Sequence, residues 1–199
     1  MNTIENILTQ LIDADILLES VYQAIADIDS NYAGELTAYY DGVQTLTQEV
    51  SGAEEYLSAM RQELASDVRY ALWQGLKWNL DCFQNPVNKL RLNMEFEELY
   101  QEARMHTFPE AQIAHQRINV FLRTLPKNKR ELLDPVIDYY AYIKTYAYKL
   151  AHYAGFCMAE RLLPCFVPGY VNDPTFTMRY AHQIEMTLGK TPFSKRKRQ

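Results

Sequence analysis

Two pairs of carboxylates have the spacing that places both members of a pair on one face of a helix. Glu95 and Glu98 form the first pair, and Glu131 and Asp134 form the second. Residues three positions apart on a helix are neighbours, and Mg²⁺ prefers carboxylate oxygens as ligands. Four such carboxylates that converge in a bundle predict a Mg²⁺ site that holds a triphosphate. This enzymatic interpretation predicts nucleotide turnover that is lost in Glu98→Ala.

The order of these pairs, Glu-x-x-Glu followed by Glu-x-x-Asp, resembles the motif of all-α nucleoside triphosphate pyrophosphohydrolases of the MazG and dimeric dUTPase type. The resemblance implies a Mg²⁺-dependent hydrolase whose ligands are these four carboxylates. The sequence departs from the family pattern because 32 residues separate the two pairs, more than is usual, and because Pro135 directly follows Asp134. A proline at this position disturbs the helix that should present the second pair. We therefore treat nucleotide hydrolysis as an alternative, and a non-enzymatic binding protein as the principal prediction.

Histidine and cysteine residues show no arrangement that is typical of catalysis or metal binding. His182 and Glu185 have the reverse order of the Glu-x-x-His motif of di-iron bundles. Cys82, Cys157 and Cys165 form neither a Cys-x-x-Cys pair nor an even set, which predicts buried, reduced thiols. No local signature of a Ser-His-Asp or Cys-His catalytic set is present. The principal prediction therefore includes no catalytic residue, no metal and no cofactor.

Helices are the elements that must position all of these residues. Apolar residues recur every seven positions from Ile4 to Tyr32, and a second set recurs from Leu36 to Leu64. This spacing is typical of two paired helices, and a turn between them is predicted around Ser30, Asn31 and Gly34. The sequence predicts an antiparallel hairpin, with a break of its second helix near residue 51, where Gly52 weakens the helix.

Prolines and capping residues bound the helices that follow. The stretch QNPVN at 84–88 predicts a stop, one helix follows Asn93, and Pro109 opens another that Pro126 closes. A long helix is predicted past Pro135 to residue 163, with a possible kink at the proline, and a last helix from Asp173 to about residue 188. The predicted fold is all-α, with an acidic helical hairpin (1–83), a helical bundle (84–189) and a basic disordered tail (190–199).

Charge is segregated along a chain whose net charge is -5. Residues 1–60 contain eleven acidic residues and no Lys or Arg, whereas residues 190–199 contain five bases and no acid. Such a hairpin attracts basic protein surfaces and repels nucleic acid, and its carboxylates can occupy the phosphate positions of a nucleic-acid-binding groove. A solubilising surface without a partner is the alternative. The predicted partner-binding residues are Asp13, Asp15, Glu19, Asp27, Asp29, Glu35 and Asp41.

A tyrosine-rich stretch forms a second set of candidates. Tyr139, Tyr142, Tyr146 and Tyr153 recur at helical spacing beside an apolar stripe. Tyrosines fill helix interfaces that have a wet edge, and they also anchor protein partners or stack on bases. The sequence predicts core packing for this set, with a secondary partner interface as the alternative and nucleotide stacking as the third.

Composition indicates the class of protein and the compartment in which we expect it. Hydrophobic residues make up 48% and charged residues 23% of the chain, as in globular proteins. No apolar run approaches the ~20 residues that span a bilayer, and the segment MNTIENILTQ lacks the features of a signal peptide. We therefore expect a cytoplasmic protein without membrane contact.

In size, charge segregation and lack of a catalytic motif, the sequence resembles small acidic all-helical proteins of phages and other bacterial mobile elements, including anti-CRISPR inhibitors. The helix with Tyr153-Ala-Gly-Phe156 is similar to helical proteins of unknown function from those elements. The resemblance implies a non-enzymatic inhibitor that occupies a basic surface of a nucleic-acid-binding host protein, without direct contact to nucleic acid. A structural coiled-coil dimer is the remaining alternative, and the sequence leaves monomer and homodimer open.

Overall fold

The computed structural model describes Glu19, Gln23, residues 32–87 and residues 109–188. These residues form five α-helices and one 3-10 helix with no strand among them, which confirms the all-α prediction. The elements in chain order are α1 (Tyr32–Glu49), α2 (Ala53–Gln84), α3 (Pro109–Thr124), a 3-10 helix (Lys127–Leu133), α4 (Asp134–Phe166) and α5 (Pro174–Leu188). Most of the first predicted helix, the helix predicted after Asn93 and the basic tail lie outside the described residues.

A short turn separates α1 from α2. Gly52 has a φ of +81°, in the left-handed region that glycine adopts without a steric penalty. The backbone N–H of Tyr56 donates to the carbonyl of Gly52 at 3.1 Å, so the first turn of α2 begins directly after the glycine. The predicted break near residue 51 is confirmed.

The longest helices, α2 and α4, form the most extensive helix pair of the described residues. They contain 32 and 33 residues, and their backbones come together at Gly75 and Gly155. Among the described residues, no helix is both long and apolar enough to cross a membrane. The remaining helices pack around this pair, with α1 and α5 against α4 and with α3 against α2.

Two large clusters of buried side chains stabilise this arrangement. The first joins α2, α4 and α5 and contains the ring of Trp78, which lies 5.0 Å from Tyr180 and 5.7 Å from Phe176 between centroids. The second joins α1, α3 and the first half of α2, where the rings of Tyr56 and Phe121 stack at 4.4 Å. Burial of side chains of this size contributes about 1.5–3 kcal/mol each to folding. The two clusters therefore hold the helices in one packed structure.

Most predicted helix ends agree with the structure. The turn predicted around Ser30, Asn31 and Gly34 is wrong at Gly34, because α1 begins at Tyr32 and includes this glycine. The helix α2 ends at Gln84, and α3 begins at Pro109. The helix α5 begins at Pro174, and the Oδ1 atom of Asp173 accepts a hydrogen bond from the backbone N–H of Phe176 at 3.1 Å. This bond is the capping interaction that an aspartate makes at a helix start.

The start and end of α4 correct two predictions. A 3-10 helix occupies residues 127–133, and α4 begins at Asp134, so Pro135 lies in the first turn. A proline in the first turn removes an N–H that has no partner within the helix, so Pro135 stands at the helix start and not at a kink within the helix. At the other end, α4 includes Pro164 and continues to Phe166, beyond the predicted end at residue 163.

Candidate functional site

The four carboxylates of the predicted Mg²⁺ site are only partly described. Glu131 in the 3-10 helix and Asp134 at the start of α4 are both exposed, whereas Glu95 and Glu98 lie outside the described residues. The described residues contain no group of three or more His, Cys, Asp or Glu side chains that could hold a metal ion. The pyrophosphohydrolase alternative therefore stays a prediction.

The three cysteines are free thiols, but the prediction that all three are buried is wrong for two of them. Cys82 is buried, Cys157 is half-buried and Cys165 is exposed. Burial raises the pKa of the Cys157 thiol, and a protonated thiol is a poor nucleophile. His182 is exposed on α5. None of these side chains forms part of the candidate site.

Part of the predicted partner-binding set is described. Four of its members lie outside the described residues, namely Asp13, Asp15, Asp27 and Asp29. Glu35 belongs to α1, where the backbone is described. The side chains of Glu19 and Asp41 are exposed, as are those of Glu54 and Glu55 in the first turn of α2. We call the exposed acids of residues 1–60 the acidic surface.

Within the described part of the chain, two ion pairs neutralise some of the acidic surface. The Oε1 atom of Glu19 lies 3.2 Å from an Nη2 atom of Arg61, and the ammonium group of Lys129 contacts the carboxylate of Glu49. Both bases come from beyond residue 60. The fold therefore brings bases from later in the chain to residues 1–60, where they neutralise part of the negative charge.

The predicted tyrosine interface set lies mostly in the core. Tyr139, Tyr142 and Tyr146 are buried, with 5%, 3% and 1% of their surface exposed, and Tyr153 is half-buried. The rings of Tyr142 and Tyr146 lie 4.7 Å apart, and Tyr153 meets Tyr180 at 5.4 Å. These contacts agree with core packing, which the sequence predicts first. A partner interface at this set stays a prediction.

His152 on α4 is a buried residue of a type that is common in catalytic sites. Burial lowers the pKa of its imidazole to about 4, so the ring is neutral at pH 7. Its Nδ1 atom forms a hydrogen bond with the hydroxyl of Tyr180, and its ring lies 5.7 Å from that of Trp78. These neighbours belong to the first core cluster, so His152 stabilises the fold and is not part of a solvent-accessible site.

A cavity of about 650 Å³ lies where α1, α2 and α4 meet. Its volume falls within the range of about 300–1,000 Å³ that is typical of ligand pockets. Four tyrosines and one ion pair dominate its lining, so we call it the tyrosine pocket. The principal lining residues are Tyr39, Tyr40, Tyr139, Tyr140, Glu19 and Arg61.

The four rings of the tyrosine pocket support one another. Tyr39 stacks on Tyr139 with centroids 4.1 Å apart and planes at 23°. Tyr140 meets Tyr139 edge-on at 6.0 Å, and Tyr40 is tilted against Tyr39 at 5.6 Å. Stacked and edge-to-face pairs are the favoured arrangements of aromatic rings. The packing of Tyr139 in the core therefore holds Tyr39 and Tyr140 in fixed positions, while 61% of Tyr40 is exposed.

The polar groups of the tyrosine pocket come from two segments of the chain. Glu19 and Gln23 supply a carboxylate and an amide, and Ser58 and Arg61 on α2 supply a hydroxyl and a guanidinium. The Glu19 and Arg61 side chains are 67% and 49% exposed, so solvent reaches their ion pair. Aromatic walls with a few convergent polar groups are typical of a binding site.

A smaller cavity of about 230 Å³ lies between α2, α4 and the segment that leads to α5. The Tyr170 hydroxyl donates to Oδ1 of Asn79 at 2.6 Å, and Nδ2 of Asn79 donates to the carbonyl of Phe156 at 2.9 Å. The carboxylates of Glu160 and Asp173 also line this cavity. The former accepts a hydrogen bond from the Thr177 hydroxyl and the latter caps α5. Its polar groups thus serve the fold, and the tyrosine pocket is the better candidate.

The sequence predicts only part of the tyrosine pocket. Glu19 and Tyr139 belong to the predicted sets, whereas Tyr39, Tyr40 and Arg61 do not. The sequence does single out Arg61 as a candidate partner for the preceding acids, because it is the first basic residue of the chain. The pocket joins residues that are far apart in the chain, so spacing alone does not reveal it.

Comparisons with known protein families, with curated proteins and with solved structures find no match for this chain. The candidate site therefore rests on the chemistry and geometry of the described residues.

Proposed function

We propose that this chain is a non-enzymatic binding protein that acts by occupying a basic surface of a partner protein, and that the partner binds nucleic acid. The observation that carries the proposal is the acidic surface. Residues 1–60 contain no Lys or Arg, and Asp41, Glu54 and Glu55 are exposed on two consecutive helices.

The mechanism is competition for a basic groove. Carboxylates that are fixed on helices can lie where a nucleic acid places its phosphates, and their negative potential speeds the encounter with a basic surface. Binding of this kind is driven by charge and weakens as salt screens it. The acidic surface and the nucleic acid then exclude each other from the same groove.

The resemblance to small acidic helical proteins of phages supports a more specific form of the proposal. In that form the partner is a nucleic-acid-binding defence protein of a bacterial host, and this chain is its inhibitor. The inhibitor needs no catalytic group, because occupancy of the groove is sufficient.

Charge reversal tests the proposal. The variant Asp41→Lys, Glu54→Lys, Glu55→Lys is compared with the wild type in pull-downs from bacterial lysate at low and high salt. We expect the wild type to retain a nucleic-acid-binding protein at low salt only, and the variant to retain none. Excess double-stranded DNA should displace the partner from the wild type.

A matched control places the same change in net charge elsewhere. The variant Glu110→Lys, Glu131→Lys, Asp138→Lys reverses three exposed acids outside residues 1–60. We expect this control to retain the partner. Equal retention by wild type and the first variant would contradict the proposal. Sedimentation of the wild type then distinguishes a monomer from the coiled-coil dimer.

A further inference from the structure

We propose that the tyrosine pocket binds the guanidinium group of an arginine side chain that a partner protein presents. This inference rests on the proposed function, because it gives the acidic surface one specific contact within a basic partner surface. The argument uses the aromatic rings, the Glu19–Arg61 ion pair, the size of the cavity and the surrounding charge.

The aromatic lining suits a planar cation. The face of a tyrosine ring carries negative potential and attracts cations within about 6 Å. A guanidinium is planar and weakly hydrated, so it stacks on aromatic faces more readily than an ammonium group does. Tyr39, Tyr40 and Tyr140 all line the pocket and keep part of their surface exposed. The rings therefore offer several surfaces to a cation that enters from solvent.

The carboxylate of Glu19 completes the recognition. Within the same cavity it already binds one guanidinium, that of Arg61, at 3.2 Å. The contact with Arg61 therefore shows that a guanidinium fits against the Glu19 carboxylate in this tyrosine-lined cavity. Because both side chains are largely exposed, their ion pair adds little to stability. An incoming arginine can therefore compete with Arg61 for the Glu19 carboxylate.

The cavity has room for such an exchange. Its volume of about 650 Å³ exceeds that of one side chain, so an arginine can enter while Arg61 turns toward solvent. Ser58 also lines the pocket and adds a hydroxyl that can hydrogen-bond to the partner's main chain beside the arginine.

The surrounding charge favours a cation over an anion. The pocket includes residues from the segment 1–60, which contains no Lys or Arg, and Arg61 is the one base among the described residues of its lining. A negative potential raises the local concentration of cations and lowers that of anions. If the ligand were an anion, Arg61 would be its main contact, and this difference separates the two cases by experiment.

Titration of the full chain with ethylguanidinium tests the proposal, with ethylurea as an uncharged probe of similar shape. Binding is followed by NMR through the tyrosine ring signals. We expect saturable shifts with ethylguanidinium and none with ethylurea. Glu19→Gln should weaken binding by about tenfold, because it removes a charge-assisted hydrogen bond, and Tyr40→Ala by about threefold. Arg61→Gln should strengthen binding, because it removes the internal competitor.

The control variant is Glu110→Gln, which neutralises an exposed acid in the first turn of α3, outside residues 1–60 and outside the pocket lining. It should bind ethylguanidinium like the wild type. Equal shifts with ethylurea, or loss of binding in Arg61→Gln, would overturn the proposal. The titration needs no partner protein. If the pocket binds ethylguanidinium but the lysate experiment yields no partner, the arginine site stands and the proposed function is rejected. If a partner is found but the pocket does not bind ethylguanidinium, only the arginine site is rejected.

Discussion

Gly75 on α2 and Gly155 on α4 bring the backbones of the two longest helices into direct contact. A Cβ atom on Gly75 would lie 1.8 Å from the carbonyl oxygen of His152, and one on Gly155 would lie 1.9 Å from the carbonyl oxygen of Leu72. Cβ atoms essentially never approach other heavy atoms to less than 3.0 Å. The crossing of α2 and α4 therefore requires the absence of a side chain at both positions.

We expect Gly155→Ala to destabilise the protein, although the same change usually stabilises a helix by about 0.5–1 kcal/mol. The added methyl group meets backbone that cannot move without separating α2 from α4, so the free energy of unfolding should fall by about 2 kcal/mol or more. Urea unfolding followed by circular dichroism measures the change. The control is Gly34→Ala in α1, where a Cβ would meet none of the described residues within 4 Å, and this variant should be at least as stable as the wild type. A stable Gly155→Ala protein would contradict the close crossing.

A second prediction concerns the ion pair between Lys144 on α4 and Asp67 on α2. The Nζ and Oδ2 atoms lie 2.5 Å apart, and the side chains are 23% and 11% exposed. Removal of one member leaves the other charge in a poorly solvated position. We expect Lys144→Met to lower the free energy of unfolding by about 3 kcal/mol.

The double variant Asp67→Asn, Lys144→Met tests the cause of that loss. It removes both charges, so we expect it to be more stable than Lys144→Met alone, with a coupling energy of about 1–3 kcal/mol in the double-mutant cycle. Additive effects of the two changes would show that the pair does not interact in solution.

Local signals in the sequence predict much of the fold. Pro109 and Asp173 mark helix starts because their effects act within one turn, and Gly52 marks the turn between α1 and α2 for the same reason. Seven-residue spacing identifies apolar positions such as Leu46, which is fully buried. These features depend on neighbours in the chain, so periodicity and capping rules are sufficient to find them.

Features that depend on distant residues could not be predicted in this way. Nothing near Gly75 or Gly155 indicates that the two glycines meet, because the contact follows from how α2 and α4 cross. The tyrosine pocket likewise joins Tyr39 with Tyr140 and Arg61, which lie on three helices. The role of Pro135 also depends on whether the residues before it form an α-helix or, as found, a 3-10 helix.

A third prediction concerns the turn at Gly52. Its φ of +81° is unfavourable for residues with a Cβ atom, and the nearest atom to such a Cβ would be Phe121 Cδ2 at 3.8 Å. Space is thus available, and the penalty of Gly52→Ala is conformational. We expect this change to lower the free energy of unfolding by about 1 kcal/mol.

The variant Gly52→Asn separates conformation from packing at this turn. Asparagine tolerates the left-handed region better than alanine but has a larger side chain. We therefore expect Gly52→Asn to be more stable than Gly52→Ala in thermal unfolding. The opposite order would show that crowding near Phe121 decides the effect.

The last prediction concerns the dependence of stability on pH through His152. Burial lowers its pKa to about 4 in the folded protein, whereas an unfolded histidine has a pKa of about 6.5. Between these values the unfolded chain binds a proton that the folded protein excludes, so acid favours unfolding. The contribution of His152 is complete above pH 6.5 and falls as the pH approaches 4. Between pH 7.5 and pH 5 the free energy of unfolding should decrease by about 2 kcal/mol from this residue.

The variant His152→Gln isolates this contribution, because every other titrating group remains. The difference in unfolding free energy between wild type and variant should be constant from pH 7.5 to pH 8.5, where His152 is neutral in both states. Below pH 6.5 it should shift in favour of the variant as the wild type loses stability. Urea unfolding at several pH values measures both regimes. Parallel curves for the two proteins down to pH 5 would mean that His152 accepts a proton in the folded state, and its place among Trp78 and Tyr180 would then have to open on protonation.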